Sequence, residues 1–178
     1  EMCIRDSTYP DDVKAIAAAG HDIGNHSQTH PEMSTLSKEQ IRDELMQVHK
    51  NVKELTGQNM CFFRPPYGDY NNALIEQAKN CGYYTIQWDV DSLDWKNYGV
   101  EPIVNTVLNH KSLRNGSIIL MHNGAKYTAQ ALPKVIEGLQ EEAAEFGAFI
   151  ANQGAEQCGF CNPGMIMNAI ALFREIPD

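Results

Sequence analysis

The stretch YPDDVKAIAAAGHDIGNHSQTH, residues 9–30, decides the fold class. Pro10 suits a first helical turn, and Asp11 and Asp12 are favourable at the positive end of the helix dipole. Val13, Ile16 and Ala17 give the helical period, and Gly20 ends it. HDIGNHS then reads as a short strand that runs into two histidines, His26 and His30. Helix, strand, polar cluster is the unit to look for elsewhere.

It recurs. STLSKEQIRDELMQVHKNVKELTGQ (34–58) is an amphipathic helix with Ile41, Leu45, Val48, Val52 and Leu55 on one face. Ser37 and Gln40 form a capping box, and Gly57 closes the helix. CFFRPPYG (61–68) is a strand broken by a double proline. NNALIEQAKNCGY (71–83) is a helix that ends at Gly82, and YTIQWDVDSLDW (84–95) is a strand with an acidic end. EPIVNTVLNHKSL (101–113) is a helix, GSIILMHNG (116–124) a buried strand, and ALPKVIEGLQEEAAEF (131–146) a helix. Strands alternating with helices predict an α/β fold with a mainly parallel sheet. Each strand ends in a polar cluster: HSQTH, RPPYG, DSLDW, MHN. Strand C-termini share one face in such folds, so the four clusters are expected to converge there.

The bulk numbers narrow the function classes. A chain of 178 residues with 43% hydrophobic residues is long enough and apolar enough to fold around a core. A net charge of -9, without clustered Lys or Arg, argues against nucleic acid as a partner. No apolar run is long enough for a membrane span, and EMCIRDSTYP has no signal-peptide core. The first residue is not Met, so a preceding piece, export signal included, is expected to be missing. Five cysteines, an odd count, do not make a disulfide framework.

His26 and His30, four apart in a strand-end loop, read either as polar residues at a core edge or as metal ligands. A catalytic zinc normally takes three protein ligands and a water, so the pair needs a third ligand, usually a carboxylate. Arg64 reads as a loop cation, or as a fixed group that orients a carboxylate, since Pro65 and Pro66 stiffen its loop. The same stiffness fixes the backbone N–H of Tyr67, which suits an oxyanion. Asp89, Asp91 and Asp94 read as a solvated turn, or as a source of one carboxylate that orients a histidine. Trp88 and Trp95 beside them suit the wall of a sugar site. His122, at the end of SIILMH, is either a packed residue or a general acid.

The order HSQTH, RPPYG, DSLDW, LMH resembles the NodB-homology polysaccharide deacetylases, carbohydrate esterase family 4. The likeness covers about residues 9–142 and is greatest to Gram-positive envelope or sporulation deacetylases. It implies a distorted (β/α) barrel that removes N-acetyl groups from peptidoglycan- or chitin-like polysaccharides, at the cell envelope. By position, it implies that His26 and His30 ligate zinc or another divalent metal, and that Arg64 orients the catalytic base. The Tyr67 amide would bind the oxyanion, and Asp94 would tune His122 as general acid. Trp95, Leu120 and Pro66 would contact substrate.

One family motif has no counterpart. Its T-F-D-D supplies the general base and the third metal ligand, and residues 1–8 read as a non-family scar instead. The resemblance therefore implies an incomplete barrel, truncated at the N-terminus, and a metal site impaired by the loss of the Asp pair. Asp11 and Asp12 read as a helix first turn, not as substitutes.

The far end departs from this pattern. QCGFCNPGMIMNA (157–169) resembles the helical [2Fe–2S] module of the xanthine dehydrogenase/aldehyde oxidase family. There Cys158 and Cys161 would be two of four cluster thiolates. The other two are absent from this chain, so a cluster is not expected. Zinc at these cysteines would also need two more ligands. The expectation is a chimera joined near residues 141–148, with the foreign helical segment over 148–178. Three function classes follow: an impaired deacetylase, a carbohydrate-binding remnant without catalysis, and an electron-transfer fragment.

Overall fold

The structure, a computed structural model, describes residues 9–114 and 116–152. The chain divides into two compact units, Glu1–Gln87 and Trp88–Asp178.

In the first unit, α1 (Pro10–Ala18) begins on Pro10 and carries Asp11 and Asp12 in its first turn. The chain then extends toward the histidines and pairs with the next strand at one parallel bridge, Asn25 with Phe63. The strand expected over HDIGNHS is thus a single bridge. The physical reason is Ser27, whose φ of 68° is left-handed and turns the chain off the ladder. The helix α2 (Lys38–Thr56) carries the expected capping box: the Gln40 N–H donates to the Ser37 side chain, and the Gln40 side chain accepts from the Ser37 N–H. Gly57 ends it at φ 75°. β1 (Phe62–Phe63) pairs in parallel with β2 (Tyr84–Thr85), and α3 (Asn72–Asn80) connects them. The core gathers Ile41, Leu45, Val48 and Val52 of α2 against Ile23, Met33, Phe63 and Leu74. Successive residues point to opposite faces in extended chain. Phe63 is therefore fully buried under the helices, while Phe62 is 37% exposed on the other face.

The second unit pairs β3 (Val90–Asp91) in parallel with β4 (Ile119–Leu120). Its core joins Val90 to Ile103, Val104 and Val107 of α4 (Val100–Leu108) and to Ala131 and Val135 of α5 (Thr128–Asn152). Gly138 lets α5 press on α4, since a Cβ there would run into the Leu108 methyls.

The single strand expected over 84–95 is two, one in each unit. β2 stops because its partner β1 runs into Pro65 and Pro66, which have no N–H to donate. α5 starts earlier and ends later than the expected 131–146, and it holds Pro133 inside. The join expected near 141–148 falls within this helix. Pairing is parallel throughout the described residues, in keeping with an α/β class, and neither unit closes a barrel by itself. Cys158 and Cys161 lie outside the described residues.

Candidate functional site

Asn25 organises the histidine loop. Its N–H donates to Phe62 O at 2.8 Å, and its carbonyl accepts from the Arg64 N–H at 2.9 Å. Its buried side chain donates to Leu45 O (2.8 Å) and to Tyr83 Oη (3.0 Å) and accepts from the Ser27 N–H (3.0 Å). Tyr83 Oη in turn lies 2.7 Å from His49 Nδ1 on α2. Burial pushes the Tyr83 hydroxyl above its ordinary value, against the hydrogen bond from Asn25 that lowers it.

His26 is 4% exposed, and its Nδ1 lies 2.6 Å from Arg64 O. A carbonyl only accepts, so Nδ1 carries the proton and Nε2 is the lone-pair nitrogen. That is the arrangement by which a backbone oxygen orients a metal-binding imidazole. The His30 ring meets His26 edge-on, centroids 4.9 Å apart, and meets Tyr67 edge-on at 4.6 Å. The His30 N–H donates to Ser27 Oγ at 3.0 Å, and Tyr67 Oη donates to His30 O at 3.3 Å. Glu44 of α2 accepts the Gln28 and Thr29 N–H groups on Oε2, both at 2.8 Å, and the Thr29 hydroxyl on Oε1 at 2.7 Å. His26 and Arg64 line one pocket with Asp22, Gly24, Phe62 and Ile86. HSQTH and RPPYG are therefore together. Tyr67 occupies a left-handed turn at φ 59°, with its ring 67% exposed, while Pro66 is buried.

Two imidazoles suit a borderline divalent ion such as zinc. Among the described residues no group of three His, Cys, Asp or Glu could hold a metal. The donors fit in kind and fall short in number.

In the second unit DSLDW and LMH come together. Asp94 is fully buried. Its Oδ1 lies 2.7 Å from His122 Nδ1, and its Oδ2 accepts the His122 N–H and the Thr128 hydroxyl, both at 2.6 Å. Burial alone would raise the Asp94 carboxyl, but hydrogen bonds from Thr128, the His122 ring and the His122 N–H outweigh it and hold it below its ordinary value. An ionised Asp94 makes His122 Nδ1 a donor and fixes the ring. The other two acids close local structure: Asp91 accepts from the Leu93 N–H and Asp89 from the Ile118 N–H. Trp95 is 54% exposed beside this pair, and Leu120 is buried in β4.

Asn25, Glu44, Tyr83 and Thr128 were not picked out from the sequence. Their partners lie far along the chain, and Thr128 meets Asp94 across 34 positions. Glu44 carried one faint signal, a carboxylate beside Leu45 at the edge of the apolar stripe of α2.

The profile of the polysaccharide deacetylase family matches residues 4–86, and that of the [2Fe–2S] binding domain matches 135–178. A peptidoglycan-N-acetylglucosamine deacetylase of Bacillus cereus is 32% identical over 78% of this chain and 51% of its own. A family 4 carbohydrate esterase from Streptomyces lividans, solved with acetate, superposes with a TM-score of 0.70 at 34% identity, over 75% of this chain and 68% of its own. A family 4 pseudoenzyme from Bacillus anthracis superposes with a TM-score of 0.71 at 33% identity, over 76% of this chain and 47% of its own. The chain spans about half the length of the B. cereus and B. anthracis relatives.

Proposed function

Since this chain belongs to the polysaccharide deacetylases of carbohydrate esterase family 4, we propose that it acts on the N-acetyl groups of an envelope polysaccharide, peptidoglycan or a chitin-like glycan. The single observation that carries this reading is the edge-on His26–His30 pair, in which His26 is buried and oriented through Nδ1 by the Arg64 carbonyl. We assign His26 and His30 as ligands of zinc or another divalent ion. When bound, such an ion polarises an amide carbonyl and activates water. Arg64 orients a carboxylate, and the Tyr67 N–H serves the oxyanion. In the second unit Asp94 holds the His122 ring so that Nε2 delivers a proton to the leaving amine. Trp95, Leu120 and Pro66 are assigned to substrate. The place of action is the cell envelope.

With two imidazoles and no third donor among the described residues, the chain is expected to hold its metal weakly and to hydrolyse slowly. That donor count, with the likeness to a pseudoenzyme, favours a second reading in which the chain binds an acetylated glycan without cleaving it. Acetate release and binding, both measured with N-acetylglucosamine oligomers and with peptidoglycan fragments, separate the two. Zinc-stimulated acetate release abolished by His122→Ala supports the first. Binding with no acetate supports the second, and neither one sinks the glycan assignment.

The match over 135–178 leads us to propose further that the chain joins segments of two families, with Cys158 and Cys161 left without a cluster. Finding the two segments in separate reading frames on re-sequencing the locus is the expected result. One uninterrupted frame would contradict it.

A further inference from the structure

The loop that carries both histidines holds two residues in left-handed backbone, Ser27 at φ 68° and His30 at φ 59°. Neither is glycine, so the conformation needs outside support. The support comes from two adjacent residues of α2. Leu45 offers its carbonyl to the Asn25 side chain at one end of the loop. Glu44 takes both central N–H groups and the Thr29 hydroxyl, with both carboxylate oxygens engaged. The helix is itself fixed independently, by its capping box and by a buried stripe from Ile41 to Val52. Among the described residues, the hydrogen bonds of the Glu44 carboxylate go to this loop.

We infer that Glu44 is a positioning residue for the histidine pair: its carboxylate holds residues 28 and 29 so that the His26 and His30 rings meet edge-on before any metal arrives. The inference rests on the assignment of those histidines as ligands, but its geometric content stands in the metal-free chain. An anionic acceptor suits the role because charged hydrogen bonds to backbone N–H groups are the stronger kind. A bulkier or shorter acceptor would not bridge two N–H groups and a hydroxyl at once.

The test compares the 178-residue chain with Glu44→Ala, Glu44→Gln and Thr29→Val. In metal-free protein, NMR reads amide exchange at Gln28 and Thr29 and the ring-to-ring contact of His26 and His30. Zinc titration, followed at the same rings, reads affinity. Glu44→Ala is expected to speed exchange at both amides, to lose the ring contact, and to weaken zinc by about 10- to 100-fold, the scale of an orienting partner. Glu44→Gln keeps an acceptor oxygen and is expected to fall between it and wild type, and Thr29→Val is expected to lose least. This graded order is one that general destabilisation would not produce. Retention of amide protection and ring contact in Glu44→Ala, or unchanged zinc affinity, overturns the inference. If wild type takes no zinc while Glu44→Ala still loses the ring contact, the metal assignment falls and the positioning role stands.

Discussion

Asp94 shows how one buried carboxylate is kept ionised. Its three donors are all in the second unit, and together they outweigh the cost of burial. The consequence for stability has a definite sign. A carboxyl whose folded value lies below the unfolded one stabilises the fold above the unfolded value and loses that contribution as pH falls toward the folded one. Wild type is therefore expected to lose stability as pH drops below about 4, the ordinary carboxylate range. Asp94→Asn should flatten that dependence and cost about 2 kcal/mol at neutral pH. Thermal melts of both proteins between pH 3 and pH 7 check it. Parallel curves would contradict it. Asn25 is the matching case in the first unit. Asn25→Ala removes three side-chain hydrogen bonds and leaves the buried Ser27 N–H and Tyr83 hydroxyl short of a partner. A loss of about 2–4 kcal/mol is expected in urea unfolding.

At the level of elements, legibility followed the reach of the interaction. The capping box of α2 lies within four residues, so Ser37 and Gln40 could be read directly. Ser37→Ala should cost about 1 kcal/mol in the same unfolding assay. Strand lengths were overread, because a ladder needs a partner. Ser27 leaves it by a left-handed turn, and Pro65 and Pro66 end it by lacking donors. The double proline was legible as the end of β1, but not its effect on β2, and the turn at Ser27 is not visible from period-two patterning. The candidate residues were legible as polar clusters at strand ends, and they meet in two pairs, HSQTH with RPPYG and DSLDW with LMH. Their supports were not legible, because Glu44, Tyr83 and Thr128 act across 15 to 58 positions. Helix contact adds one further expectation. Gly138→Ala forces a Cβ onto Leu108 and should destabilise the second unit by about 1–3 kcal/mol. Gly138→Ala at wild-type stability would mean that α5 and α4 do not approach as closely as they do here.

Over the whole molecule, each of the two units holds its own local arrangement: an edge-on imidazole pair in one, a carboxylate–imidazole pair in the other. The described residues contain no helix long and apolar enough to cross a membrane. A net charge of -9 leaves neutral or cationic substrates possible. The proposal on which the rest depends is that His26 and His30 of GNHSQTH bind a divalent metal. Zinc titration of chelator-stripped protein, beside a His26→Ala/His30→Ala double variant, tests it most directly. One weakly held zinc per chain, lost in the double variant, is the predicted result. Zinc binding that the double variant leaves unchanged, or no zinc at any accessible concentration, would contradict it.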